Sequence, residues 1–394
     1  MAAPIKIPRN VWILGLTSLL NDTSSEMIHG VLPLFLVSGL GANMASVGLI
    51  EGLSEATASI LKIFSGAISD YWQRRKALAV FGYGLSTAVK PLFMIASSPA
   101  WVLLARLGDR TGKGIRVAPR DALVADSTDA SNRGAAYGLR QSLDTIGAFL
   151  GPLIAFGLMN ATHNFRFIFG VALIPGVLAV ACLVLGVREP ERPYHALKRP
   201  NPLNWEVLQR LGFSFWGLAI ATFLFNLGNS SEAFLLLKAK QVFIPDAQIP
   251  LVLVAMNLSY ALSAYPVGVL SDRVNRKTLL LLGWGLNAFI YMGLAIAQNP
   301  WQVWLWVGGY GLYLGMTQGV LLAMVADRVP EQLRGTAFGS LNLLVGIALL
   351  PASLLAGWLW QAVSPGAAFG LGSGFAVAAI ALLYFQREYI ADLD

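Results

Sequence analysis

Apolar residues fall into twelve long runs separated by short polar stretches. The runs cover roughly 11–39, 45–69, 77–97, 101–124, 134–158, 165–187, 213–237, 247–270, 277–297, 301–325, 335–361 and 366–386. Each is near the ~20 residues a helix needs to cross a bilayer. The pattern predicts an all-α membrane protein with twelve transmembrane helices. The first run reads as a spanning helix rather than a cleaved leader. It is too long, it contains Asp22 and Glu26, and it lacks a small-residue cleavage site.

The second six runs repeat the first six. Val124-Ala125-Asp126, followed by Arg133-Gly134, returns as Val325-Ala326-Asp327, followed by Arg334-Gly335. Gly66 to Asp70 with Arg74 and Arg75 returns as Gly268 to Asp272 with Arg273, Arg276 and Lys277. The predicted organisation is therefore two six-helix bundles, 1–187 and 213–394, related by a pseudo-two-fold. They are joined by a proline- and charge-rich cytoplasmic linker, 188–212, which reads as a tether.

Composition agrees with this reading. Hydrophobic residues make up 56% and charged residues 12%, against about 25% charged in a soluble domain. A net charge of +7 could suggest nucleic acid, but its placement argues otherwise. Lys6, Arg9, Arg74, Arg75, Lys76, Arg188, Arg192, Lys198, Arg199, Arg273, Arg276, Lys277 and Arg387 flank alternate ends of the runs, while the loops near 40–44, 98–100, 298–300 and 362–365 carry no Lys or Arg. This asymmetry places both termini and the linker in the cytoplasm. The lone Cys182 excludes an intramolecular disulfide and a Cys-based zinc site. His29, His163 and His195 lack metal-ligand spacing, and no Walker loop is present. No metal, cofactor or catalytic constellation is expected.

With its Gly-x-x-x-Asp and basic cluster between spans two and three of each half, the chain resembles the major facilitator superfamily, and within it the bacterial twelve-span drug or organic-solute proton antiporters. The motif is well kept at Gly268, Asp272, Arg273 and Arg276; in the first half Tyr71 follows Asp70, and the basic residues sit at Arg74 and Arg75. Gly147, Gly151 and Pro152 resemble the family's antiporter motif in span five and read as a helix-packing device. The resemblance implies a central cavity between two bundles and alternating access by rocking. It also implies that Asp70 and Asp272 with their basic neighbours form a cytoplasmic latch. Asp126, Arg133, Asp327 and Arg334 read likewise as symmetric gate residues.

Polar residues inside the spans carry the candidate chemistry. Asp22, Glu26 and His29 fall within about 60° on one helical face, and Glu51, Glu55 and Lys62 within about 40° on another. Span four places Arg106, Arg110, Lys113 and Arg120 within about 80°. A charge facing lipid at mid-span costs at least ~2.5–3.5 kcal/mol, so these faces look into protein or water. The repeat supplies a control: Arg106, Arg110 and Lys113 correspond to Val307, Gly311 and Leu314, and Glu51 and Glu55 to Leu253 and Asn257. Only Glu26 has an acidic counterpart, Glu232. The fold does not require the other charges.

Arg suits recognition of carboxylate or phosphate, so Arg106, Arg110 and Lys113, with Glu51, are expected to hold the charged part of a substrate. Asn229, Asn257 and Tyr260 of the second bundle are expected to meet its remainder. The plainer reading is an ion-pair network neutralised by Asp22, Glu26, Glu51 and Glu55. Asp22, Glu26, Glu55, Glu232 and His29 are the candidates for proton coupling. The expected function is proton-coupled secondary transport of a small organic, anionic or amphiphilic solute across the inner membrane by a monomer, with export favoured. Import of an organic anion or metallophore, lipid or lysolipid translocation, and a transport-fold sensor or partner-binding protein are the alternatives.

Overall fold

The computed structural model describes residues 7–72, 74–129, 132–189, 208–271, 273–330 and 333–386. The side chains of Ala67, Asp70 and Tyr71, as well as Asp272 and linker residues 190–207 with His195, lie outside the described residues.

Among the described residues the chain forms twelve helical spans. In the first half α1 is Arg9–His29, extended by Leu32–Leu34 and a π-helical Phe35–Gly39; α2 is Met44–Trp72; α3 is Arg75–Ala88 continued by Lys90–Ile95. Then come α4, Pro99–Asp126; α5, Arg133–Thr162; and α6, Phe165–Gly186. In the second half α7 is Gly212–Gly228 continued by Ala233–Gln241, α8 is Pro250–Ser271 and α9 is Arg276–Ile296. Last are α10, Pro300–Asp327; α11, Arg334–Ala362; and α12, Pro365–Phe385. Local chemistry sets several starts. Pro99, Pro300 and Pro365 occupy first-turn positions, where a missing N–H costs nothing. The Asn164 and Ser364 side chains accept the Phe167 and Ala367 amides at 3.2 and 3.0 Å.

Nine of these spans are long and apolar enough to cross a membrane. The three that fall short, α1, α2 and α4, are those carrying the polar stripes. Their polar faces turn inward against each other, while the outer belt is apolar, with Leu185, Phe213, Leu262 and Ile296 all strongly exposed. That inversion is what a bilayer solvent demands.

Helix pairing is duplicated. α2 with α4, α3 with α4 and α1 with α6 recur as α8 with α10, α9 with α10 and α7 with α12. The halves meet along α2 with α11 and α5 with α8, each pair exchanging the same roles between halves.

The spans have two ends. One carries the Arg75 and Arg276 clusters; the other carries the loops near 40–44 and 362–365. That second end is not free of cations: Arg166 donates to the Ala96 carbonyl at 3.0 Å, and Lys240 pairs with Asp246 at 2.6 Å. Cross-half contacts run from this second end to mid-depth. The Met44 amide donates to Gln361 Oε1 at 3.3 Å, Gly30 lies against Pro250, and Gly52 lies against Leu350 and Ser353. Asn257 Nδ2 reaches the Ala148 carbonyl at 3.4 Å. Toward the basic end Lys62, Gln141, Ser142 and Tyr265 are exposed.

Candidate functional site

Three helices of the first half build the site. Gly112 and Gly114 let α4 wedge between its neighbours: a Cβ at Gly112 would lie 2.8 Å from the Ser86 amide, and one at Gly114 would lie 3.0 Å from the Ala58 carbonyl. At this separation the acidic stripe of α2 faces the basic stripe of α4 as ladder rungs. Glu51 Oε2 accepts from Arg106 Nη2 at 2.8 Å, and Glu55 Oε1 pairs with Arg110 Nη2 at 3.0 Å. Arg106 is also 3.9 Å from Glu55. Glu51 is 0% and Arg106 2% exposed, so the upper rung is a desolvated pair. Such a pair survives because each charge compensates the other. Lys113, one turn further along α4, is half-buried, and among the described residues its side chain has no hydrogen bond or ion pair within 4 Å. Lys62, on the same α2 face, is exposed and stands near Asp121, Arg120 and Arg140.

On α1, Glu26 Oε2 lies 3.6 Å from His29 Nδ1, and Asn21 Nδ2 donates to Asp22 at 3.1 Å. This stripe is reached through a close approach of α5. A Cβ at Gly147 would lie 3.2 Å from Asp22 Cβ, and one at Gly151 would lie 2.7 Å from both Glu26 Cβ and the Thr23 carbonyl. The glycines of the span-five motif thus pack directly behind the acidic stripe. On α3, Lys90 is 1% exposed and hydrogen-bonded to Ser24 Oγ, which in turn donates to the Ala172 carbonyl.

The second half contributes through a break in α7. Residues 229–231 leave the helix before it resumes at Ala233. Ser231 Oγ there donates to Glu51 Oε2 of the other half at 3.3 Å, and its backbone N–H donates to Ser353 Oγ at 3.3 Å. Glu51 is therefore held from both bundles. Asn229 Oδ1 accepts from the Tyr291 and Tyr310 hydroxyls at 2.9 and 3.0 Å, while its amide reaches the Tyr313 hydroxyl at 3.4 Å. Glu232 is half-buried and lies in the field of His29, Glu26, Glu55 and Lys113. Half-helix ends at an unwound segment near mid-depth are the usual seat of a transported solute.

The candidate residues do not all meet. Asp22, Glu26, His29, Glu51, Glu55, Arg106, Arg110, Lys113 and Glu232 gather in this region. Asn229 is turned into the tyrosine cage, Asn257 spans to α5, and Tyr260 donates to Gln318 at 3.1 Å on an exposed face. The gate residues stand at the basic end. Arg75 pairs with Asp126 at 2.5 Å, and Arg276 pairs with Asp327, its counterpart. Arg334 donates to the Ala326 carbonyl at 3.3 Å. Arg74, Arg133 and Arg273 are exposed, a Cβ at Gly66 would lie 3.5 Å from Ala118 Cβ, and one at Gly268 would face open space.

A second charge cluster lies between this site and the basic end. Arg140 pairs with Asp144 at 2.5 Å, and Arg120 pairs with Asp121 at 3.0 Å. Arg120 also donates to Ser18 at 3.1 Å, and Arg116 stacks on the Tyr83 ring at 4.8 Å. Arg140 and Asp144 escaped sequence reasoning. Their signal was there: opposite charges four residues apart inside an apolar run.

The comparisons with known proteins agree with this architecture. The Major Facilitator Superfamily model matches residues 14–243 and 218–392. An uncharacterized MFS-type transporter of Methanocaldococcus jannaschii is 32% identical over 392 residues, which is 96% of this chain and 95% of that protein. The multi-drug resistance efflux pump PmrA homolog of Lactococcus lactis is 24% identical over 80% of this chain and 78% of its own length. Among solved structures, a bacterial homolog of the human lysosomal transporter Spinster, in an inward-facing and unoccupied conformation, superposes with a TM-score of 0.74. It is 18% identical and covers 95% of this chain and 94% of that one, a likeness of fold.

Proposed function

Since the chain belongs to the Major Facilitator Superfamily, we propose that it is a proton-coupled secondary transporter that exports a small organic amphiphilic solute bearing an anionic group. It works across the inner membrane, with the basic end cytoplasmic. The observation that carries this reading is Glu51, a buried carboxylate bound by Arg106 of its own bundle and by Ser231 of the other. A ligand or proton that competes for this carboxylate acts on both halves at once. That is what links binding to a change of access. Efflux by the Lactococcus lactis relative supports the direction.

Cross-half contacts at the opposite end and the exposure of Lys62, Gln141, Ser142 and Tyr265 toward the basic end support entry of solute from the cytoplasm. Its charged part reaches the α4 cations, and its apolar part lies against the second bundle. Asp22, Glu26 with His29, Glu55 and Glu232 are the proton acceptors on offer. Rocking then loosens the α2–α11 and α5–α8 seams and closes the basic end. The duplicated Arg75–Asp126 and Arg276–Asp327 pairs hold the helix ends together as rigid corners during that motion.

The test is flux in proteoliposomes made with the full chain. The solute is the organic compound, from a screen of anions, zwitterions and cations, that most raises the melting temperature. An imposed pH gradient should drive its movement against the proton flow, and a protonophore should abolish it. Movement with the proton flow would reverse the direction to import. Flux indifferent to the gradient would overturn proton coupling.

A further inference from the structure

We infer that the site takes an amphoteric solute, with an anionic and a cationic group at opposite ends of an apolar body. This rests on the transporter reading and narrows its substrate class. Most charges of the site already have partners. Arg106 is neutralised by Glu51, Arg110 by Glu55, and Glu26 stands beside His29. Among the described residues that gather in the site, that leaves the side chains of Lys113 on α4 and Glu232 at the α7 break without a hydrogen bond or an ion pair; the Asp109 carboxylate of α4 has none either, but it is buried in the field of four cations, Arg110, Lys90, Arg106 and Arg116. Lys113 and Glu232 are both half-buried, on opposite bundles, and within electrostatic reach of each other. Buried polar atoms in the same site are also unpartnered: His29 Nε2 and Glu51 Oε1.

A desolvated charge without a partner is costly, and a ligand that leaves one behind loses what it gains elsewhere. A purely anionic solute meets Lys113 but leaves Glu232 facing Glu26 and Glu55. A purely cationic solute does the reverse. A solute with both groups satisfies both residues. Because they stand on different bundles, only such a solute also draws the bundles together, so its binding favours the state in which they close around it. The sequence repeat sharpens the point. The counterpart of Lys113 is Leu314, while that of Glu232 is Glu26, so the unpaired cation of the site belongs to the first half alone, whereas the acid recurs in both.

The experiment measures binding to the purified full-length protein of three probes that differ by one charged group. 4-(Aminomethyl)benzoate is the zwitterion, 4-methylbenzoate the anion and 4-methylbenzylamine the cation. The zwitterion should bind at least about tenfold more tightly than either, as expected for a close charge pair. Lys113→Gln should cost the zwitterion and the benzoate about tenfold and leave the benzylamine unaffected; Glu232→Gln should show the opposite pattern. Lys113→Arg, which keeps the charge, should retain the wild-type order and controls for damage to the fold. Equal binding of benzoate and zwitterion, or no zwitterion binding, overturns the inference. Gradient-driven flux of 4-methylbenzoate alone would overturn it and leave the transporter reading intact. Selective zwitterion binding with no flux under any gradient would do the converse.

Discussion

The α2–α4 contact of the first half and the α8–α10 contact of the second are copies of one packing arrangement with opposite chemistry. In the first, Glu51 meets Arg106 and Glu55 meets Arg110. In the second, the matching positions hold Leu253 and Val307, both fully buried, and Asn257 and Gly311. The second contact is no looser: a Cβ on Gly311 would lie 2.8 Å from Ser259 Cβ. Close packing is therefore what the frame needs, and charge is not. Replacing buried ion pairs by well-packed apolar residues is often neutral or stabilising. The pairs of the first half therefore point to a task beyond holding helices together.

The largest predicted effect breaks one rung. Arg106→Gln or Glu51→Gln leaves an uncompensated buried charge and should cost about 3–5 kcal/mol, read as a drop in unfolding midpoint. Giving the first half the residues of the second, Glu51→Leu with Arg106→Val, should recover most of that loss. Next is the glycine contact behind the acidic stripe. The second half carries buried Ala348 and Ala352 where the first has Gly147 and Gly151. Gly151→Ala should nevertheless cost about 1–3 kcal/mol, because its Cβ would press on the Thr23 carbonyl and Glu26. A milder thermal shift than for Gly147→Ala with Gly151→Ala together is expected.

Ser231→Ala removes the hydroxyl that ties Glu51 to α7. It should cost about 1 kcal/mol of stability yet raise labelling of cysteines placed on the 40–44 side of the site, since a cross-bundle tie is lost. The smallest effect concerns the duplicated corners. The Arg75 and Asp126 side chains are each 11% exposed, whereas Arg276 and Asp327 are 30% and 57% exposed. Arg276→Gln should cost about 0–1 kcal/mol, and Arg75→Gln measurably more.

The polar stripes of α1, α2 and α4 were legible because a helical wheel needs only local spacing. The repeat made their asymmetry legible too. Pairing was not: that Glu51 takes Arg106 rather than Lys113 depends on the close approach of α4 to α2 at Gly114, a tertiary distance. The break of α7 was readable in part, since Asn229, Ser230 and Ser231 are weak helix formers. The link from Ser231 to Glu51 was not, because it joins bundles 180 residues apart. Asn229 shows the reverse case. Its polarity marked it as a candidate to meet the solute, and what the sequence did not show is that three tyrosine hydroxyls engage its amide.

The most direct test of the central claim, that the frame is shared and the first half's charges do the work, is the double variant Glu51→Leu with Arg106→Val. The account predicts a protein that unfolds within about 1–2 kcal/mol of the wild type and shows no pH-gradient-driven flux in proteoliposomes. A folded double variant that still transports at the wild-type rate would contradict it.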